Sequence, residues 1–546
     1  MSRRENKSVF ILGASVMQIP AIKIAKELGW NVIVADGNSR AEGAHLADFF
    51  EHIDLKDREG LTEAAAKHRE EEGLDGVFTA GTDFSANVAW VAEKLELPGI
   101  RYEVALDASD KSRMRRVFQD HSLPSPEFLS VVEGDELAPV FESLDLPVVI
   151  KPVDNMGARG VRRIDAKEEL VAAAAEAFGY SRCSRIIVEE YIDGPEFSLD
   201  ALVYRNQIFL CGLADRHIYF PPFFVEMGHT MPTVVDQMAQ DEIIDVFFRG
   251  IKALGIHTGA AKGDIKLSPQ GPVIGEIAAR LSGGYMSGWT YPYSSGVRVT
   301  EGALRIAVGL PPGPLTPVKR HTAAERAFIS IPGVVGQIYG DETARQAADE
   351  VFLRVSPGDT VRFPTNNVQK CGNVIAVDPL RSRAVNLAES VRRSVFLRLD
   401  PACDETYQFL YGDSETWIPP AFSISNRLNI EYLENMPEYI SVEGDQQSSV
   451  GILALPALES ENARDWHGFT VAEGLCAVCK FAGCSLESEI GTSRAAGARV
   501  PGHRIVLGRV FWTGFLKGGV QGGVWVVDRV LRYPGFLEKS DVFHGS

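Results

Sequence analysis

From residue 148 the chain reads Val148-Val-Ile-Lys151-Pro-Val-Asp-Asn-Met-Gly157-Ala-Arg-Gly160-Val161. An apolar strand ends on a lysine, a glycine-bearing loop comes next, and a second strand begins. The glycines let successive backbone N–H groups turn toward an anion, and the lysine adds a point charge. No Gly-Lys-Ser/Thr comes after it and the lysine precedes the loop, so this is not a P-loop. Alone, such a turn reads as a plain hairpin.

The next two segments narrow the choice. Ile186-Ile-Val-Glu189-Glu-Tyr-Ile192-Asp-Gly-Pro-Glu196-Phe-Ser-Leu-Asp gives an apolar strand, a carboxylate pair, a turn, another carboxylate and a new strand. Later, Asp264 lies on the strand Gly263-Asp-Ile-Lys-Leu. After the turn Ser268-Pro-Gln-Gly, Glu276 lies on Val273-Ile-Gly-Glu-Ile. Two carboxylates on adjacent antiparallel strands can share Mg²⁺ ions, which usually keep waters and substrate phosphates. Arg280 stands at the strand end, before Leu281-Ser-Gly283-Gly284. Each feature singly reads as a solvated strand end; the ordered set points to phosphate chemistry.

The first hundred residues alternate apolar strands (Val9-Phe-Ile-Leu, Val32-Ile-Val-Ala, Gly76-Val-Phe-Thr) with helical stretches. This argues for a parallel sheet covered by helices. Gly13 comes after the first strand and Asp36 lies where a ribose-binding carboxylate would be. Yet the dinucleotide fingerprint G-x-G-x-x-G reads Gly13, Ser15, Gln18, so a tight turn is favoured over dinucleotide binding. A helix from about 110 to 121 precedes Leu123-Pro-Ser-Pro, and Pro311-Pro-Gly-Pro with Pro317 marks a later boundary. Residues 321–400 carry strands and a final helix over 382–394.

The chain has 546 residues, enough for several domains, with acidic residues outnumbering basic ones 73 to 55. A net charge of −18 disfavours nucleic acid as a partner. No apolar run reaches the roughly 18–20 residues needed to cross a bilayer. The apolar stretch from Val9 to Leu12 is too short for a secretory signal and runs straight into a strand–turn–helix pattern. Seven scattered cysteines do not form a disulfide framework. The expectation is a soluble, reduced, cytoplasmic protein, with no membrane partner and a homo-oligomer left open.

In lysine, glycine loop, hinge carboxylates, paired carboxylates and arginine, taken in this order, residues from about 5 to 400 resemble the ATP-grasp superfamily of carboxylate–amine ligases. The L-amino acid (dipeptide) ligases are nearest in pattern. The resemblance implies a multidomain protein of α/β and α+β character. Residues 1–108 would be a Rossmann-like preceding domain, 109–320 the two-lobed ATP-grasp domain, and 321–400 a small lid-like domain; 401–546 would be an accessory domain.

The implied cofactors are ATP and Mg²⁺, with Mn²⁺ an alternative, and the partners a small-molecule carboxylate and amine. By the resemblance Lys111, in Ser109-Asp-Lys-Ser-Arg-Met, and Lys151 contact phosphates, and Gly157 and Gly160 close over the transferring phosphate. Glu189 and Ile192 form the hinge that meets adenine, and Glu196 meets the ribose. Asp264 and Glu276 are the metal ligands. Ala158 stands where the family often has serine, and Ala278 where many members have asparagine.

Phe223-Phe-Val-Glu226-Met-Gly-His229 resembles the E-x-G-H segment of the amino acid ligase branch, which puts Glu226 and His229 beside the amino-acid substrate and its phosphorylated form. Arg280 would hold the carboxylate and then the oxyanion. Asp83, closing Thr79-Ala-Gly-Thr-Asp83, reads either as substrate-facing or as a helix N-cap. The implied activity is acyl phosphate formation from ATP, then amide formation. An ATP-grasp carboxylase is an alternative, set against by Arg280-Leu-Ser-Gly-Gly where biotin carboxylases carry an Arg-x-Gln-Val-Glu-type segment. A catalytically silent nucleotide-binding module is the other.

Residues 401–546 read as strand-heavy. Cys476, Cys479 and Cys484, with His467 and His503, hint at a metal, but the surrounding apolar helical face favours buried thiols. Lys517-Gly-Gly-Val-Gln-Gly-Gly-Val, between apolar runs 506–516 and 524–530, reads as a hairpin turn.

Overall fold

A computed structural model describes residues 7–412, 418–441, 450–487, 505–533 and 536–537. The chain forms two compact units. The first is Met1–Glu325 with Thr365–Val368 and Ile375–Val385; the second is Arg326–Pro364, Gln369–Val374 and Asn386–Ser546.

The first unit opens on a parallel sheet of β1 (Ser8–Leu12), β2 (Asn31–Ala35), β3 (Phe49–Glu51) and β4 (Gly76–Phe78), in the order β3-β2-β1-β4. Both faces of β1 are covered, which is why its sequence is an unbroken apolar run rather than an alternation. Val9 and Ile11 pack toward the helices Ile19–Glu27 and Val299–Ala307, while Phe10 and Leu12 pack toward Arg58–Glu71 and Ser85–Lys94. At the first turn Gln18 Oε1 accepts from Ser15 N at 3.0 Å and from Ser15 Oγ at 2.7 Å, and its Nε2 donates to Ala80 O. The side chain also packs against Gly13, where a Cβ would lie 2.9 Å from Gln18 Oε1. The tight-turn reading of Gly13 fits.

A second sheet comprises β5 (Phe128–Val132), β6 (Val148–Pro152), β7 (Arg162–Ile164) and β8 (Arg185–Glu190), ordered β5-β8-β6-β7 and antiparallel throughout. The helix Leu170–Tyr180 covers it with Leu170, Ala173, Ala174 and Ala177. A third, antiparallel sheet comprises β9 (Glu196–Tyr204), β10 (Gln207–Tyr219), β11 (Val225–Met231), β12 (Gly259–Ser268) and β13 (Gly271–Ala278), with β14 (Thr322–Phe328) beside β11. Its order is β13-β12-β9-β10-β11-β14. The helix Gln237–Ala253, capped by Asp236 through Ala239 N, lays Phe247 and Ile251 on Ile265, Ile274 and Ile277. The two antiparallel sheets carry seven of the thirteen candidate site residues, Lys151, Glu189, Glu196, Glu226, His229, Asp264 and Glu276. Among the described residues, no helix is long and apolar enough to cross a membrane.

The second unit overturns one expectation. Residues 506–530 are not a hairpin: the strand Ile505–Leu507 leads into the helix Arg509–Arg532, broken at Gly519 (φ 62°, ψ −151°). In the described part of 401–546, helices outweigh strands. Glycine is a poor helix former, so the sequence reads as a turn, but here the glycines serve close packing. A Cβ on Gly523 would lie 2.8 Å from Val478 Cγ2 on the helix Val471–Ala482, and one on Gly522 only 2.2 Å from the Gly514 carbonyl oxygen. His503 lies outside the described residues, and among those described no group of three or more His, Cys, Asp or Glu side chains could hold a metal.

Gly522→Ala should therefore destabilise the protein by about 1–3 kcal/mol through overpacking. Gly179→Ala, on the helix Leu170–Tyr180 with nothing within 4 Å of the added carbon, should be neutral or stabilising by up to about 1 kcal/mol. Thermal unfolding of the two variants should move in opposite directions or separate by several degrees.

Candidate active site

Asp110 caps the helix Lys111–Asp120 through the Ser112 and Arg113 amides and so fixes Lys111 at the helix start. Lys111 Nζ donates to Asn155 O at 2.8 Å, reaching the loop after β6. Lys151, near the end of β6, pairs with Glu189 Oε2 at 2.5 Å across the β6–β8 ladder. Burial pushes the Lys151 ammonium below the ordinary lysine range, against the attraction of Glu189. Burial likewise disfavours ionised Glu189, but Arg115 and Lys151 outweigh it and hold the carboxyl below its usual range.

Arg115 carried no sequence signal. It is fully buried, with Nε on Glu189 Oε1 at 2.9 Å and Nη2 on Gly275 O at 2.6 Å.

The loop between β6 and β7 is held in left-handed backbone at Gly157 (φ 70°), Ala158 (φ 59°) and Gly160 (φ 67°). Gly160 is required twice over, because a Cβ there would also meet Tyr180 Cδ2 at 2.9 Å. The Ala158 conformation costs about 1 kcal/mol in an L-residue, so the loop holds its shape through its neighbours.

The hairpin β12–β13 forms as the turn sequence suggested, with Asp264 opposite Glu276 and a register shift beside them. Asp264 Oδ1 accepts from Ser198 Oγ at 2.9 Å, and Oδ2 lies 2.9 Å from Arg216 Nη1 and against Lys262 Nζ. Burial pushes the Asp264 pKa up, but Arg216 and Lys262 bring it below the ordinary value. Burial also works against ionised Glu276, yet Lys111, Lys262, Arg280 and Lys151 together hold its carboxyl far below the usual range.

Among the described residues Glu276 is an ionised carboxylate ringed by cations but held by none in a direct ion pair. Such a pair, one acid engaged and one open, suits Mg²⁺, which takes one or two protein carboxylates and fills its remaining positions with water and phosphate oxygens. Ala278, opposite Lys262, offers no further ligand. Glu196, at the start of β9, pairs with Arg216, and the Ile192 carbonyl accepts from Lys266 Nζ at 2.9 Å.

Arg216 was also missed. From β10 it reaches Glu196, Asp264 and, through Nε at 2.8 Å, Glu226. Its register partner on β11 is His229. Glu226 Oε2 lies 3.5 Å from His229 Nε2, while Nδ1 of the same ring meets Glu325 Oε2 at 3.2 Å. Each ring nitrogen of His229 thus faces a carboxylate oxygen.

The segment after Arg280 bends back over these groups. Gly284 sits at φ 61°, and a Cβ there would lie 2.8 Å from Glu226 Oε1 and 3.3 Å from His229 Cε1. Asp200 anchors this segment, its Oδ1 accepting from Ser282 N at 3.1 Å and from Ser282 Oγ at 2.7 Å.

Asp83 pairs with Arg182, whose guanidinium lies over the Phe84 ring at 5.3 Å. The helix N-cap is Phe84 without a side-chain bond, so the capping role considered for Asp83 is not seen. Its strand end still adjoins the arginine segment, through the bridge of Ala80 to Leu281 and the bond from Gly81 N to Leu281 O at 3.3 Å.

The ATP-grasp domain family matches residues 144–288, the ATP-grasp N-terminal domain residues 22–99 and the L-amino acid ligase C-terminal domain 2 residues 327–400. The chain belongs to the ATP-grasp superfamily of carboxylate–amine ligases. This ATP-grasp chain is 26% identical over 349 residues to the uncharacterized protein y4rH of Sinorhizobium fredii, covering 62% of the chain and 72% of that protein. It is 24% identical over 346 residues to carnosine synthase 1 of Gallus gallus, covering 59% of the chain but only 37% of the synthase. The structure of an L-amino acid ligase from Bacillus licheniformis shares the ATP-grasp fold, with a TM-score of 0.63 at 21% identity over 73% of this chain and 100% of that one.

The pH response of Asp200 is testable. Burial pushes its carboxyl up to about 7, with the Ser282 bonds, Arg280 and Lys262 opposing. A raised carboxyl keeps its proton in the folded state after the unfolded chain has released it, so the Asp200 contribution to stability falls as pH rises from about 4 to about 7. Asp200→Asn retains an oxygen for Ser282 and removes the titration. Its stability relative to wild type should rise across that window, with a slope approaching about 1.4 kcal/mol per pH unit, and flatten above it. Denaturant unfolding at several pH values checks this; a pH-independent difference would contradict it.

Proposed function

We propose that this chain activates the carboxylate of an amino acid or other small carboxylic acid as an acyl phosphate, using ATP, and joins it to an amine with release of ADP and phosphate. The observation that carries the reading is the approach of the Arg280–Gly284 segment to Glu226 and His229, on the same sheet as the Asp264–Glu276 pair. In this reading the substrate-holding and phosphate-side groups lie on one sheet, where Arg216 bonds both Glu226 and Asp264. The names of the L-amino acid ligase and the carnosine synthase support the same class of reaction.

In this reading Lys111 and Lys151 place fixed positive charge beside the phosphates, and the 157–160 backbone closes over the group in transfer. Phosphoryl transfer asks mostly for positioning and charge dispersal. The backbone of the hinge from Glu189 to Ile192 and the carboxylate of Glu196 take the nucleoside end, the Glu189 side chain being engaged by Arg115 and Lys151. Bound Mg²⁺, held by Asp264 and Glu276, would supply neutralisation of phosphate charge. Arg280 holds the substrate carboxylate, then the oxyanion as the amine attacks, and His229 donates a hydrogen bond to the acyl phosphate. Glu226 faces the amino-acid substrate. All seven cysteines are free thiols, which fits a cytoplasmic setting.

Phosphate release screened over amino acids and small carboxylates, with mass spectrometry of the products, tests the reaction; no amide product with any pair would refute it. Lys151→Ala should abolish ligation while leaving the fold intact. Arg280→Ala should bind ATP normally yet turn over at no more than about one-hundredth of the wild-type rate, the usual loss for one donor aimed at developing negative charge. Calorimetric ATP titration beside the phosphate-release assay separates the two effects. Equal losses in affinity and rate would place Arg280 on the ground-state nucleotide instead.

A further inference from the structure

Arg115 stands one turn after Lys111 on the helix Lys111–Asp120 and is wholly shut off from solvent. Its guanidinium donates in two directions, from Nε to Glu189 on β8 and from Nη2 to the Gly275 carbonyl on β13. One side chain therefore bonds both antiparallel sheets. Its neighbour Met114 grips the same hairpin, with Sδ accepting from Ile277 N at 3.4 Å. Residues 114 and 115 thus hold the backbone on either side of Glu276.

On the other sheet, Glu189 divides its two oxygens between Arg115 and Lys151, at 2.9 Å and 2.5 Å. Nη1 of Arg115 has no hydrogen-bond partner among the described residues. A buried cation with an idle donor is expensive, and an apolar side chain of similar volume would fill the space at lower cost. Packing alone does not account for an arginine here.

We propose that Arg115 is a positioning residue that fixes Lys151 relative to Glu276 and, by sharing Glu189, leaves the Lys151 charge available to the nucleotide. The inference rests on the nucleotide reading of the site. With Arg115 in place, one carboxylate is shared between two cations and the local balance stays positive. Without it, Glu189 neutralises Lys151 outright, and the carbonyl beside Glu276 loses its anchor. The planar fork is essential, because a lysine has the charge but cannot address two acceptors in fixed directions at once.

Calorimetric titration with MgADP tests the proposal on wild type, Arg115→Met, Glu189→Gln and the double variant. Arg115→Met should weaken MgADP binding by about tenfold or more, equivalent to at least about 1.4 kcal/mol. Adding Glu189→Gln should recover part of that loss, because Lys151 is then freed from its remaining counter-charge. A merely structural arginine gives the opposite pattern, in which the double variant binds more weakly than either single one.

Should Arg115→Met not fold, Arg115→Lys answers the same question. It should fold and bind measurably more weakly than wild type, and wild-type affinity in it would overturn the two-sheet role. A wild-type protein that does not bind MgADP would overturn the nucleotide reading itself, whereas normal wild-type binding with undiminished binding by a folded Arg115→Met would overturn the Arg115 role alone.

Discussion

Glu276 is half-buried, and although desolvation disfavours its charge, four cations hold its carboxyl far below the usual range. Each comes from a different part of the chain: Lys111 from a helix start, Lys151 from β6, Lys262 from β12 and Arg280 from the segment after β13. A desolvated carboxylate costs several kcal/mol unless it is compensated, so the hairpin is satisfied only where the others converge. The two antiparallel sheets make that convergence possible. Their apolar faces, covered by Leu170–Tyr180 and Gln237–Ala253, set the frame, and the charged faces are left to solve the electrostatic problem.

The parts of this arrangement that were legible in the sequence are those with local signatures. The Ser268-Pro-Gln-Gly turn announces a hairpin with Asp264 and Glu276 on its two strands, but it takes the register shift between Asp264 and Ile265, which has no local signature, to bring the two opposite each other. The apolar run at Val9 to Leu12 announces a strand covered on both faces. Arg115, Arg216, Asp200 and Glu325 have no such signature. Arg115 sits in the polar run Lys111-Ser-Arg-Met-Arg-Arg, where nothing local separates it from Arg113, which pairs with Glu103 and Asp107 and is partly exposed. What distinguishes Arg115 is the contact with Glu189 and Gly275, residues 74 and 160 positions away. Only the tertiary structure supplies that.

The hairpin expected at 506–530 failed for a related reason. Glycine pairs inside an apolar run lower helix propensity, and propensity is all that a local reading weighs. Here the helix Arg509–Arg532 is held by burial of Phe511, Trp512, Phe515, Val524 and Trp525, and the glycines lie where neighbouring atoms come closest. Tertiary packing outweighs a local penalty of about 1 kcal/mol per glycine.

Arg216 joins the ends of the site in a way none of the motifs anticipates. Its guanidinium meets Glu196, Asp264 and Glu226, the carboxylates assigned to ribose, metal and substrate. As the structure stands, Asp264 is already balanced by Arg216 and Lys262. A divalent cation arriving there alone would confront both, with only Glu276, itself already faced by four cations, to offset the added charge. The same cation arriving with a polyphosphate brings its own counter-charge, which Lys111 and Lys151 receive in the proposed reading, and Arg216 still keeps Glu196 and Glu226 as partners. Charge balance in the folded protein thus favours nucleotide and cation binding as a pair. It also puts Glu226, proposed to face the amino-acid substrate, one side chain away from Asp264, because both bond the Arg216 guanidinium.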